Sequence, residues 1–237
     1  MQLYFIRHGL SENNLRWLET ESAEGRDPDP ALTAAGRQQA QHLARFLLSA
    51  GPAAPWANPA YDTQNVLGFG LTHLYCSLMV RAVATATTVA RELDLPLVAW
   101  PEIHEVGGIH QRDPESGERM GLPGPNRAFF EAQFPDLHLP PSLGETGWWN
   151  SRPYEVHEEA AARARALLNQ LLERHGDRTD RVAFVSHGGF YRHLMRAILG
   201  LSPDAPVSFS LNNGAITRID FWDWGAQVVY ANRLDYL

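Results

Sequence analysis

What the chain lacks narrows its class first. A single cysteine, Cys76, rules out an intrachain disulfide. With no recognisable signal peptide, this points to a reducing cytoplasm. Cys76 follows Leu74 and Tyr75 in an apolar run, so a buried strand residue is expected rather than a reactive thiol. No apolar stretch approaches the roughly 18 residues that span a bilayer, and a soluble protein without a membrane partner is expected. The formal net charge of -7 carries no basic surplus, which argues against a general nucleic-acid binder. An anionic substrate remains compatible, because a pocket can be locally positive on an acidic protein. There is no internal repeat, no His-Glu-x-x-His and no clustered Cys/His ligand set; His104, Glu105 and His110 have the wrong spacing for a zincin helix. Neither a metal nor an organic cofactor is expected.

What is present is an ordinary globular composition, 44% hydrophobic and 20% charged over 237 residues. Leu3 to Ile6 is a short run of β-formers that ends at Arg7-His8-Gly9. Thr33 has the character of a helix N-cap, and Ala34 to Ser49 carries Ala40, Leu43, Ala44 and Leu47 near helical spacing until Gly51 and Pro52 stop it. Residues 52 to 70, rich in Pro, Ala, Asn and Gly, predict an irregular excursion. Strands are expected at Leu71 to Cys76, Leu97 to Trp100 and Arg181 to Ser186. Helices are expected at Ala82 to Leu93, Glu155 to Arg174 and Phe190 to Leu199. Late strands are expected at Val207 to Phe209, Ile216 to Phe221 and Val228 to Tyr230. Between Pro101 and Pro153 glycine and proline are dense, with one short helix near Arg127 to Phe134; a lid or specificity wall is expected there. Such alternation predicts an α/β fold, a three-layer sandwich with a mostly parallel sheet and helices on both faces. Ligands in such sheets sit beyond the carboxyl ends of the strands.

Four polar elements fall at those ends. Arg7 and His8 follow the first strand, Gly9 allows close backbone approach, and Asn14 lies within reach. Ser186-His187-Gly188-Gly189 follows another strand and opens a helix, whose free N–H groups suit an anion. Arg81 opens the helix after Ser77, where the helix dipole disfavours a cation unless an anion compensates it. Glu105 follows the third strand; a carboxyl group beside a bound phosphate favours its protonated form, as a general acid requires. Glu102 is a competitor that spacing alone does not eliminate.

In order and spacing these elements resemble the histidine phosphatase superfamily, which includes the cofactor-dependent phosphoglycerate mutases. The resemblance rests on Arg7-His8-Gly9 with Asn14, Leu32-Thr33 with Gly36, Ser77, Arg81-Ala82 with Thr85-Ala86, Glu105 before its glycines, and Ser186-His187-Gly188. It implies one domain over residues 1 to 237, with variable insertions at about 53 to 70 and 110 to 153. It implies His8 as phosphorylated nucleophile, Arg7, Arg81 and His187 as grips on the phosphoryl oxygens with Asn14 assisting, and Glu105 as proton donor. Thr33 is either a further phosphate contact or only a helix cap.

Phosphoryl transfer needs positioning and charge stabilisation, which two guanidinium groups supply bidentately without a metal. The implied activity is hydrolysis of a small phosphorylated metabolite through a phosphohistidine. Ser11-Glu12 resembles the mutase pattern instead, but the basic segment that mutases carry after the acid is here Gly107 to Pro114, so Arg112, Arg119 or Arg127 would have to replace it. Trp148 and Trp149 are expected to line an apolar specificity pocket. An inactive scaffold that binds phosphorylated ligands is the alternative from another class, and a homodimer is left open.

Overall fold

The structure is a computed structural model, described here over residues 1–50, 62–202 and 204–237. Among these residues seven strands form one sheet in the order β6-β3-β2-β7-β1-β8-β9, and a separate two-stranded hairpin pairs β4 with β5. The strands are β1 (Gln2–Arg7), β2 (His73–Cys76), β3 (Leu97–Ala99), β4 (His110–Arg112), β5 (Arg119–Gly121), β6 (Leu137–His138), β7 (Arg181–Ser186), β8 (Ile216–Trp222) and β9 (Gly225–Arg233). Strands β1, β7, β2, β3 and β6 run parallel, while β8 and β9 close one edge antiparallel. The α/β expectation of a mostly parallel sheet holds.

Alternation along the strands explains the layers. On β1, Tyr4 and Ile6 enter one core with α2 (Ala34–Leu48) and α3 (Val80–Leu93), whereas Leu3 and Phe5 enter another with α5 (His157–His175) and α6 (Gly188–Ile198). Strand β7 repeats the division, with Ala183 and Val185 on the first side and Val182 and Phe184 on the second. Both faces of the central strands are therefore buried, which is why they read as continuous apolar runs.

Three sequence expectations need correction. Val207 to Phe209 is not a strand; Val207 is exposed and its carbonyl accepts from the Arg196 guanidinium, so the residues brace the end of α6. A helix not foreseen, α1 (Glu12–Thr20), follows the His8 loop. It escaped the apolar pattern because Trp17 and Leu18 face solvent, and it is set by the Ser11 cap. The segment 101–153, read as an insertion with one short helix near Arg127 to Phe134, has that helix as α4 (Arg127–Gln133) but also holds the unforeseen β4–β5 hairpin and β6, which joins the main sheet. Of the excursion at 53–70, residues 53–61 lie outside the described residues. The rest is a turn in which Asp62 accepts from the Val66 and Leu67 amides and Asn65 is buried against the Tyr4 hydroxyl.

The His8 loop is clamped through its backbone, both by side-chain hydrogen bonds to it and by close main-chain packing. Thr33 Oγ1 accepts the Gly36 amide and donates to the Leu10 carbonyl, and Ser11 forms an isolated bridge with Leu32. Gly36 packs so closely on Leu10 that a Cβ there would overlap the Leu10 carbonyl, and a Cβ on Gly9 would overlap that of Gly36. Replacing glycine by alanine inside a helix ordinarily stabilises by about 0.5–1 kcal/mol. Gly36→Ala should do the opposite, costing roughly 1–3 kcal/mol by overpacking. Urea unfolding measures it; a gain in stability would show that the loop and α2 are not in this contact.

Candidate active site

The sheet brings the polar elements to one edge. Arg7 is paired with Ser186 and Cys76 with Val185, so the residues that follow, His8, His187 and Ser77, emerge side by side from β1, β7 and β2. The rings of His8 and His187 lie 5.1 Å apart between centroids, and both are almost fully buried.

Arg81 fixes the state of His8. Its Nε–H can only donate, and it points at His8 Nε2 at 3.2 Å, so that nitrogen carries the lone pair. The proton then resides on Nδ1, which donates to the Gly9 carbonyl at 2.7 Å. Burial first, then the charges of Arg81 and Arg7, pushes the His8 imidazole well below its ordinary range. His187 is lowered in the same direction, by burial first and then by Arg81, with smaller contributions from His8, His104 and Arg7. Ser77 Oγ holds His187 Nε2 at 2.7 Å and also accepts the Met79 amide.

Arg7 donates to the Leu211 carbonyl at 2.7 Å, and its guanidinium lies against Gly188 at the start of α6. Two buried polar atoms here, Arg7 Nε and His187 Nδ1, have no hydrogen-bond partner among the described residues. Orphaned buried groups are costly, and a tetrahedral oxyanion supplies acceptors for such donors.

Glu105 sits at the N-terminus of α6. Its two carboxylate oxygens accept the amides of Val106, Gly189 and Phe190 at 2.8–3.0 Å. Glu105 lines the cavity in front of Arg81. Glu102 lies in a 3-10 turn, is exposed, and is not among the lining residues. The loop bearing Glu105 is held by Arg163, which grips Glu155 with two 2.6 Å bonds and donates to the carbonyls of Glu102 and His104.

The other sequence candidates divide. Asn14 adjoins the His8 loop through its carbonyl oxygen, which accepts from Ser11 Oγ and from Asn213. Gly188 is the first residue of α6, beside Arg7. Thr33 has both functions of its hydroxyl occupied as the cap of α2, which is the second of its two readings. Arg112, on the β4–β5 hairpin, lines the cavity with Arg119, whereas Arg127 turns away to the carbonyls of Leu143 and Pro140. Trp148 and Trp149 do not line the cavity. They are buried in the core beneath it; Trp149 packs on Gly108 and His104 and donates to the Arg152 carbonyl, because two large indoles are what fill the inside of this Gly- and Pro-rich segment.

Sequence reasoning missed two braces. Asp29 Oδ1 accepts the Val80 amide at 3.1 Å and lies 3.4 Å from Arg81 Nη1, so one carboxylate caps α3 and orients the guanidinium. Burial raises its pKa to about 7 despite the opposing charge of Arg81. The cationic start of α3, noted as anomalous in the sequence, was the signal for a carboxylate from elsewhere. Asn213 ties the carbonyls of His8 and Gly9 to Asn14; only the Asn212-Asn213-Gly214 turn signal hinted at it. The cavity itself measures about 1280 Å³ and is lined by Arg26, Arg112, Arg119, Arg192 and Arg196 around Tyr154.

A sheet of this order, with two strand-end histidines between two arginines, defines a histidine phosphatase. The sequence profile of the histidine phosphatase superfamily (branch 1) matches residues 3–61 and 63–233, and the chain belongs to that family. Among curated relatives it is 27% identical to the probable phosphoglycerate mutase GpmB of Proteus mirabilis (strain HI4320), covering 93% of this chain and 85% of that one. It is 25% identical to the adenosylcobalamin/alpha-ribazole phosphatase of Escherichia coli (strain K12), covering 93% and 90%. Among solved structures, the phosphoserine phosphatase of Entamoeba histolytica in complex with phosphoserine superposes with a TM-score of 0.62 at 19% identity, over 100% of this chain and 98% of that one. No helix among the described residues is long and apolar enough to cross a membrane.

The buried imidazoles make a prediction about acid. His8, His187 and His104 are lowered well below 6.5 by burial first, so on acidification the unfolded chain takes up protons before the folded one. The stability they contribute is complete above about pH 6.5 and is lost as pH falls below it. The urea midpoint should drop between pH 8 and pH 5.5, and nitrogen NMR should find the rings of His8 and His187 neutral at pH 5.5. Ordinary titration of either ring near 6.5 would contradict the burial argument.

Proposed function

We propose that this protein hydrolyses phosphate monoesters through a phosphohistidine on His8. The observation that carries the reading is the fixed tautomer of His8: its Nε2 lone pair is turned toward Arg81 beside the orphaned Arg7 Nε and His187 Nδ1. His8 Nε2 attacks phosphorus, the bond from phosphorus to the ester oxygen breaks, and Glu105 gives that oxygen its proton. Arg7, Arg81 and His187 hold the three equatorial oxygens where charge spreads in the transition state. Water then cleaves the phosphorus–nitrogen bond, with Glu105 taking back a proton, and inorganic phosphate leaves. Two easier steps replace one difficult step.

A cavity of about 1280 Å³ leaves room for an alcohol bulkier than phosphoglycerate, which supports the phosphatase reading, whereas Arg112 and Arg119 on its lining supply the basic side chains that a mutase would require. The mutase reading draws on the GpmB relatives and on Ser11-Glu12. A panel of phosphorylated metabolites, scored for free phosphate and for isomerised product with and without bisphosphoglycerate, separates the two. The small phosphorylated substrate, the catalytic grouping and a cytoplasmic setting consistent with the buried thiol of Cys76 all belong to this proposal.

His8→Ala should abolish turnover and trapping of an acid-labile, alkali-stable phosphoenzyme while leaving the fold intact. Retained turnover would remove His8 from the nucleophile's role and, with it, this mechanism. Glu105→Gln should slow esters of poor leaving groups by roughly 10²–10⁴-fold, the usual worth of a general acid. Activated aryl phosphates should change far less. Equal slowing of both classes would assign the proton to another group.

A further inference from the structure

At the opposite ends of the strands from His8, three side chains with metal-ligating atoms converge. His73 opens β2, Asp180 immediately precedes β7, and His175 is the last residue of α5. Because β2 and β7 are parallel neighbours with His73 paired to Val182, the starting edge of the sheet brings His73 and Asp180 together under the end of α5. Asp180 Oδ2 lies 2.7 Å from His175 Nδ1 and 4.0 Å from His73 Nδ1. The two imidazoles meet edge to face at 4.6 Å, and the three ligand atoms all lie within 4.8 Å of one another.

We propose that His73, His175 and Asp180 bind a divalent transition-metal ion of the zinc type, at a structural site separate from the catalytic cavity. The donor set favours such an ion. Two imidazoles and one carboxylate suit zinc, cobalt or nickel, whereas magnesium and calcium take oxygen donors. His175 is buried, and its far nitrogen, Nε2, is held 3.2 Å from the Tyr75 hydroxyl. Metal-ligating histidines characteristically carry such a partner on the nitrogen that does not bind, since it fixes ring orientation and tautomer.

The reach is also suitable. Zinc bonds of about 2.0–2.2 Å separate neighbouring donors by roughly 3–3.5 Å. The 2.7 Å contact must open and the 4.0 Å contact close, each by less than about 1 Å, which the half-exposed His73 and the Asp180 side chain can absorb while His175 stays fixed. Water completes the coordination on the open side of His73. Bound there, the ion would pin the end of α5 to the starts of β2 and β7.

Without a metal, Asp180, His175 and Tyr75 still form a hydrogen-bonded chain, and His73 instead meets Thr72 Oγ1 at 2.9 Å. His73 is therefore the discriminating residue. The experiment uses the full-length, tag-free protein stripped of metal and titrated with Zn²⁺ by calorimetry and with Co²⁺ by visible absorption, comparing wild type, His73→Ala and Asp180→Asn. Wild type should bind one equivalent that both variants lose or bind at least tenfold more weakly. Zinc at a hundredfold excess over Kd should raise the wild-type Tm by roughly 5–10 °C. Turnover of an aryl phosphate should be the same with and without that equivalent. Equal zinc affinity and stoichiometry in wild type and both variants would overturn the site, and so would the absence of micromolar binding in wild type. Asp180→Asn reports independently if His73→Ala perturbs folding, and binding rather than hydrolysis is read, so failure here leaves the His8 mechanism standing.

Discussion

The bond from Arg81 Nε to His8 Nε2 is the constraint on which the site depends. A guanidinium does not lose its proton in a protein, so its Nε–H leaves the imidazole no choice of tautomer. The same contact places a positive charge beside a buried ring and so opposes its protonation. One interaction thus presents a lone pair, keeps it free of a proton, and sets the cation that an incoming phosphoryl oxygen would meet. It also has a cost. Arg81, His8 and His187 are buried together, and burial weakens the charged form of each of them.

The surrounding fold offsets that cost with carboxylates and backbone. Asp29 reaches in from the loop before α2 to cap α3 and pair with Arg81, and Glu105 occupies the amides at the start of α6. Glu105 is held in turn by a loop that Arg163 pins to Glu155 and that rests on the indole of Trp149. Arg81 and the start of α6 are thus each supported by a residue from a different part of the chain. The close contacts of Gly9, Gly36 and Leu10 do the same for the loop that carries His8, using main chain where side chains have no room.

How far this was legible in the sequence follows from the range of each interaction. Strands β1 and β7 were readable because both their faces are buried, and the residues just after them were then bound to share an edge. His8, His187, Arg7 and Arg81 could be placed together for that reason. Asp29 and Asn213 could not, since their partners lie 51 and 205 residues away and nothing local marks an acid or amide as a brace. The two tryptophans misled for a related reason. A pair of indoles signals a large apolar contact, but whether that contact is with a ligand or with the protein's own loop is decided by glycines and a histidine that periodicity does not connect to them. Helix α1 carries no apolar stripe to detect, and a cap alone is weak evidence.

The chain contains no lysine, so every permanently cationic side chain around the cavity is an arginine. This divides the site into two zones with different physical tasks. In the inner zone, guanidinium groups fixed by Asp29 and by the Leu211 carbonyl offer rigid donors suited to bidentate contact with an oxyanion. In the outer zone, Arg112 and Arg119 stand on a two-stranded hairpin that contributes nothing to the main sheet, with Arg119 stacked 4.1 Å over the Tyr154 ring. A planar cation on an aromatic face suits a planar or anionic alcohol portion, and its desolvation is already partly offset by the ring. The inner zone is fixed by the sheet, whereas the outer one hangs on a hairpin and a loop. The second can therefore be reshaped without disturbing the first.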